Sequence, residues 1–293
     1  MPGGSGALAG AEAAPPAALF RWRDLRKRAL SAAILAPAAM ACVWLGELPW
    51  TSLVALAIAL LTLEWVHLCG LRARALPGAA VPVAIFLAAG AAVAGQNLGA
   101  VFALMAGFVL TWALGVALAG RAAVRVPAAT LALGVLAIGF AGLSLIWLRD
   151  DGEAGRANVV FLFCVVWASD IGAYLLGRLV GGPKLAPVLS PSKTWAGAAG
   201  GLAAAVGAGL AVAAAFAPGS PMMAAAMAVL LGIATQIGDI AESALKRRFG
   251  VKDSGALIPG HGGVLDRLDG LLAAAPVAAI VALAQGQGAP LWR

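Results

Sequence analysis

Residues 126–148 read VPAATLALGVLAIGFAGLSLIWL, twenty-three positions without one charged side chain. As a helix this run would rise about 35 Å, enough to cross a bilayer hydrocarbon core about 30 Å thick. It lacks the alternation of a barrel strand, and lipid offers no partner for open backbone groups, so helix is the conformation it specifies. Outward from it, eight further apolar runs qualify: 29–45, 50–69, 76–94, 98–119, 159–176, 195–217, 222–240 and 268–284. Hydrophobic residues make up 62% of the 293 positions and charged residues only 11%, against about 25% charge in a soluble domain. With a mean hydropathy of +0.95, the balance excludes a cytosolic globule and a disordered chain. The expected fold is all-α, a polytopic integral membrane bundle of about nine transmembrane helices.

The flanks of these runs set the orientation. Seventeen of the 20 Lys and Arg residues fall before the first run or in the even-numbered loops; Arg149, Arg156 and Arg293 fall on the other side. Positive residues stay cytoplasmic, so the amino terminus is expected inside and the carboxyl terminus outside. The net charge of +7 is this asymmetry rather than one basic patch, which excludes a nucleic-acid partner and leaves the lipid bilayer. Residues 1–28 read as a disordered basic tail, and the run 29–45 is too long for the h-region of a secretory signal. Residues 29–157 then form amino-terminal transmembrane helices. Residues 158–293 form a carboxy-terminal catalytic region with cytosolic loops 177–194 and 241–267. Cys42, Cys69 and Cys164 lie inside apolar runs, too far apart for zinc or disulfide spacing, and read as small core hydrophobes. Gly177 with Gly181 and Gly197 with Gly201 have the GxxxG spacing that lets helices approach closely.

Charges inside apolar runs are costly, at least about 2.5 kcal/mol at a bilayer centre, so the few present carry information. Asp170 lies in the sixth run, Asp239 ends the eighth with Glu242 one turn on, and Asp266 and Asp269 enter the ninth. Both carboxylate pairs are spaced i, i+3 and share a helix face. Converging, they make an oxygen-rich site suited to Mg²⁺; ion pairing with Arg267 or Lys246 is the alternative. Glu64 and His67 read as a polar pair capping the cytoplasmic end of the second run. The eighth loop also crowds Ser243, Lys246, Arg247, Lys252, His261 and Arg267 around Gly260, Gly262 and Gly263. Glycines can turn successive N–H groups toward a phosphate, and Lys and Arg neutralise it. The sixth loop repeats the theme with Ser190 and Lys193, and neither loop contains a P-loop pattern.

The segment Ser243-Ala-Leu-Lys-Arg, four residues, then Lys252-Asp-Ser-Gly-Ala-Leu-Ile-Pro-Gly-His-Gly-Gly-Val-Leu-Asp266-Arg-Leu-Asp269 resembles the signature of the phosphatidate cytidylyltransferases, the CDP-diacylglycerol synthases. Gln236-Ile-Gly-Asp239, Ser169-Asp170-Ile-Gly-Ala-Tyr174, Lys184-Leu-Ala-Pro and Ser190-Pro-Ser-Lys193-Thr-Trp195 are similar to further patterns of that family, which together span about a third of the chain. Ala196 departs from the Glu or Gln that often follows Lys-Thr-x there. The resemblance implies attack by a phosphatidic acid oxygen on the α-phosphorus of CTP, in a bacterial plasma (inner) membrane with the site facing the cytoplasm. It further implies Mg²⁺ on Asp239, Asp266 and Asp269, with a second metal or a monovalent cation left open. Phosphate charge would fall to Lys246, Arg247, Lys252 and Arg267, hydrogen bonds to Ser243 and the 260–263 backbone. Lys193 would reach the lipid phosphate or the nucleotide, and acyl chains would enter near Asp170. His261 would donate to leaving diphosphate or order its loop. A homodimer is compatible with this reading, and a CTP-dependent polyprenol or phytol kinase and an ion-coupled transporter are the alternatives to test against.

Overall fold

The computed structural model describes residues 33–119, 127–216, 219–255, 262–286 and 288–293. The 1–28 tail, Arg121 and Arg125, and Gly260 and His261 lie outside these. Among the described residues nine α-helices follow in order: α1 (Ala33–Leu45), α2 (Glu47–Leu68), α3 (Ala80–Val93), α4 (Asn97–Ala117), α5 (Ala128–Arg149), α6 (Gly155–Leu179), α7 (Trp195–Phe216), α8 (Pro221–Arg248) and α9 (Leu265–Gln285). They match the nine apolar runs one for one, in an integral membrane bundle. Seven are long and apolar enough to cross a membrane.

Two boundaries differ from the sequence reading. The third run begins at residue 76, yet α3 holds only 14 residues, about 21 Å of rise. Leu76 to Ala79 form turns instead, where Pro77 offers no backbone donor. The eighth run ends at residue 240, whereas α8 continues to Arg248. Its 28 residues rise about 42 Å, so the last two turns extend past the apolar zone, and residues 241–248 of the expected loop are helix. The sixth loop is also structured: β1 (Lys184–Ala186) pairs antiparallel with β2 (Ser190–Thr194), Lys184 opposite Thr194.

Helix α5, in which residues 128–148 of the uncharged run lie, is the hub. Some 72% of its apolar window is buried, against 28% for α4 and α7, and it packs against α2, α3, α4, α6 and α9. Trp50 and Trp65 of α2 donate their indole N–H groups to the Leu145 and Leu131 carbonyls of α5, each at 3.1 Å. Helices α6 and α7 run antiparallel in close contact, Gly177 against Gly197 and Gly172 against the Gly200 carbonyl. Of the two GxxxG pairs, Gly177 with Gly181 contributes Gly177 to this contact and Gly197 with Gly201 contributes both members, Gly201 lying against the Ser169 carbonyl. Without side chains the two backbones approach, which is how small residues bind helices together where lipid removes the hydrophobic drive. Helix α8 starts at Ser220, whose hydroxyl accepts the Met223 N–H at 3.3 Å, with Pro221 at the first helical position.

Candidate functional site

The polar residues gather where the carboxy-terminal half of α6, the β-hairpin, the last turns of α8 and the first turns of α9 meet. Helices α8 and α9 are antiparallel, and their crossing depends on Gly238: a Cβ there would stand 2.6 Å from the Asp269 carbonyl oxygen and 2.8 Å from the Ala273 methyl. The neighbouring residue, Asp239, is thereby brought to the start of α9. One carboxylate oxygen each of Asp239, Glu242 and Asp269 lies within 4.8 Å of the other two. Asp170 stands beside them on the exposed side of α6, within electrostatic range of Asp239 and Asp269.

Of the three carboxylates assigned to metal from sequence, the geometry therefore brings Asp239 and Asp269 together, with Glu242 as the third. Asp266 is held otherwise. Its carboxylate accepts the Lys246 ammonium at 2.8 Å, the Gly263 N–H at 2.9 Å and the Ser254 N–H at 3.2 Å. Lys246 also pairs with Glu242 at 2.7 Å, so part of the alternative of ion pairing is realised at this lysine. Lys193, carried on β2, forms an ion pair with Asp239.

The donor set suits a small hard cation. Five carboxylates, those of Asp170, Asp239, Glu242, Asp266 and Asp269, face the two ammonium groups of Lys193 and Lys246. Among the described residues one oxygen of the buried Glu242 has no hydrogen-bond partner. A buried carboxyl oxygen without a partner is costly, and a cation bound by Asp239, Glu242 and Asp269 would satisfy it.

The remaining predicted residues surround this cluster. Arg247 donates from Nε to the Leu189 carbonyl at 3.4 Å and ties α8 to the hairpin, where Ser190 is buried. Ser243 is half-buried on α8, while Lys252 and Arg267 are exposed on the loop side. Gly262 adopts φ +79°, and a Cβ on it would come 2.9 Å from an Asp266 oxygen; only glycine is comfortable there. Gly263 is buried, and a side chain there would meet the Ser254 hydroxyl and Glu64.

Glu64 is the residue whose role the sequence reading missed. Rather than capping its own helix with His67, which is exposed, it is 3% exposed and reaches α9. Its carboxylate accepts the Val264 and Leu265 N–H groups, both at 2.8 Å, and the Ser254 hydroxyl at 3.4 Å. The first N–H groups of a helix lack intrahelical partners, and a negative charge there is favoured by the helix dipole. Two carboxylates, Glu64 from α2 and Asp266 from α9, thus hold both flanks of the loop at Ser254 and at residues 263–265. The buried Glu in an apolar helix was the available signal; its partner, 200 residues away, was not.

Residues 26–284 match the sequence model of the Cytidylyltransferase family. The chain is similar to the phosphatidate cytidylyltransferase of Brucella suis biovar 1 (strain 1330), 58% identical over 144 residues, which is 49% of this chain and 53% of that protein. It is also similar to the proteins of the same name from Staphylococcus saprophyticus (39% over 145 residues, 49% of this chain and 55% of that protein) and Mycobacterium bovis (42% over 129 residues, 44% and 42%). These alignments span about half the length of the curated relatives.

Proposed function

Since the chain belongs to the cytidylyltransferase family, we propose that it transfers CMP from CTP to phosphatidate, giving CDP-diacylglycerol and diphosphate. The observation that carries this reading is the convergence of Asp239, Glu242 and Asp269 beside a basic hairpin and a glycine-flanked loop. Such a site accepts a polyphosphate with its cation.

In this mechanism a phosphatidate oxygen attacks the α-phosphorus of CTP and the bond to diphosphate breaks. A phosphate monoester has its second pKa near 6, as phosphorylated side chains do, so the nucleophile is largely ionised and needs little general base. Two anions must meet, and the chain's task is to hold them and screen their repulsion. Asp239, Glu242 and Asp269 would hold Mg²⁺, which supplies charge neutralisation and polarises phosphoryl oxygens when bound. Lys193 is positioned to exchange its Asp239 partner for a phosphate. Arg247, Lys252 and Arg267 add positive charge at the loop side. Phosphatidate enters from lipid along the exposed side of α6 near Asp170, its acyl chains remaining in the bilayer. Seventeen of the 20 basic residues fall in the segments on the side of this site, which supports a cytoplasmic orientation in a bacterial inner membrane.

Purified protein incubated with phosphatidate, Mg²⁺ and CTP labelled at the α-phosphorus should place label in the organic phase and release diphosphate. An unlabelled organic phase refutes the proposal; lipid labelled from the γ-phosphorus, with CDP released, would mean a lipid kinase instead.

A further inference from the structure

At the opposite ends of the same helices lies a cleft of about 670 Å³ whose walls include Arg149, Arg156, Trp44, Phe216 and Pro290. Arg156 is 14 residues before Asp170 on α6, about 21 Å along the helix, so the cleft is distinct from the acidic cluster. Two of the three basic residues on this side of the sequence therefore converge on one cavity.

Each is held in place by its surroundings. Arg149, the last residue of α5, donates from Nε to the Val43 carbonyl at 2.7 Å. Its guanidinium lies over Gly46, where an added Cβ would collide with it. The Arg156 guanidinium stacks 4.7 Å from the Trp44 ring centroid, and Trp44 in turn meets Phe216 edge-on at 6.0 Å. Among the described residues neither arginine forms an ion pair. Glu47 and Asp150 are within electrostatic range of Arg149 without contacting it. Asp151 is taken by the Gly288 N–H at 2.9 Å and by Asn158 at 3.4 Å.

Among the described residues no carboxylate forms an ion pair with either arginine, and two oriented guanidinium groups match the oxygens of a phosphate. The source of that phosphate follows from the flank. Leu45 and Leu48, next to Trp44 in the chain, are exposed, as are Ile34 and Leu35 towards the start of α1, and aromatic residues at a helix end mark the bilayer interface. We propose that this cleft binds the phosphodiester headgroup of an anionic glycerophospholipid in the leaflet opposite the acidic site, with an acyl chain laid along α1.

The test uses full-length protein in phosphatidylcholine nanodiscs containing a small fraction of phosphatidylglycerol, with retained lipid counted by native mass spectrometry. Wild type should retain one phosphatidylglycerol, and R156Q should bind it about tenfold more weakly, equivalent to about 1.4 kcal/mol. Melting in pure phosphatidylcholine should be unchanged, because Arg156 is exposed. If R156Q proves unstable, R156K keeps the charge and loses the fork, and should also weaken retention. Equal retention by wild type and these variants overturns the proposal. So does competition in which inorganic phosphate binds with the same Arg156 dependence while phosphatidylglycerol is not retained.

Discussion

Replacing Glu64 by glutamine preserves shape and removes one acceptor, which makes it a sharp probe of how the amino-terminal helices serve the site. The carboxylate accepts two backbone N–H groups at 2.8 Å in a buried setting. Glutamine keeps one oxygen and turns an NH₂ group toward the other donor. A hydrogen bond to a charged group contributes about 1.5–3 kcal/mol, and an orphaned buried donor costs about 1–3 kcal/mol. The favourable charge at the helix start is lost as well. A local cost of about 3 kcal/mol corresponds to more than a hundredfold in an equilibrium constant, at tenfold per 1.4 kcal/mol. It falls on residues 262–265 and hence on Asp266 and Asp269. E64Q should therefore lower kcat/KM for CDP-diacylglycerol formation by about a hundredfold and raise amide exchange at Val264 and Leu265 comparably, with helix content unchanged. Turnover and exchange both within threefold of wild type would refute the reasoning.

Other perturbations separate the carboxylates by role. E242Q should raise the Mg²⁺ concentration for half-maximal activity at least tenfold, whereas D266N should lower stability with a smaller shift; the reverse order in a metal titration would return Asp266 to the cation. G238A forces a methyl against the Asp269 carbonyl, and overpacking of this kind costs about 1–3 kcal/mol; a lower melting temperature in detergent, together with weakened Mg²⁺ dependence, is expected. K246M leaves Glu242 and Asp266 without their shared ammonium at side-chain exposures of 6% and 12%. Breaking a buried pair costs about 3–5 kcal/mol, so thermal denaturation should occur well below that of wild type even without substrate.

Helix number and order were legible in the chain itself, because a twenty-residue apolar run in lipid can satisfy its backbone in few other ways. Where each run stopped was less so: α8 outlasts its apolar stretch because Glu242, Lys246 and Arg247 are good helix formers that carry the helix past it. The acidic and basic composition of the site was equally readable, since intramembrane charge is too costly to be incidental. Spacing placed Asp239 with Glu242, and Asp266 with Asp269, on common faces. It could not say which partner each carboxylate meets on the other helix. That choice is made by the α8–α9 crossing at Gly238, which sets Glu242 beside Asp239 and Asp269 and gives Asp266 to Lys246 and the loop. The role of Glu64 and the pairing of Arg149 with Arg156 in one cleft belong to tertiary structure for the same reason. Local periodicity orients a side chain about its own helix axis, and only the packing of helices decides what it meets.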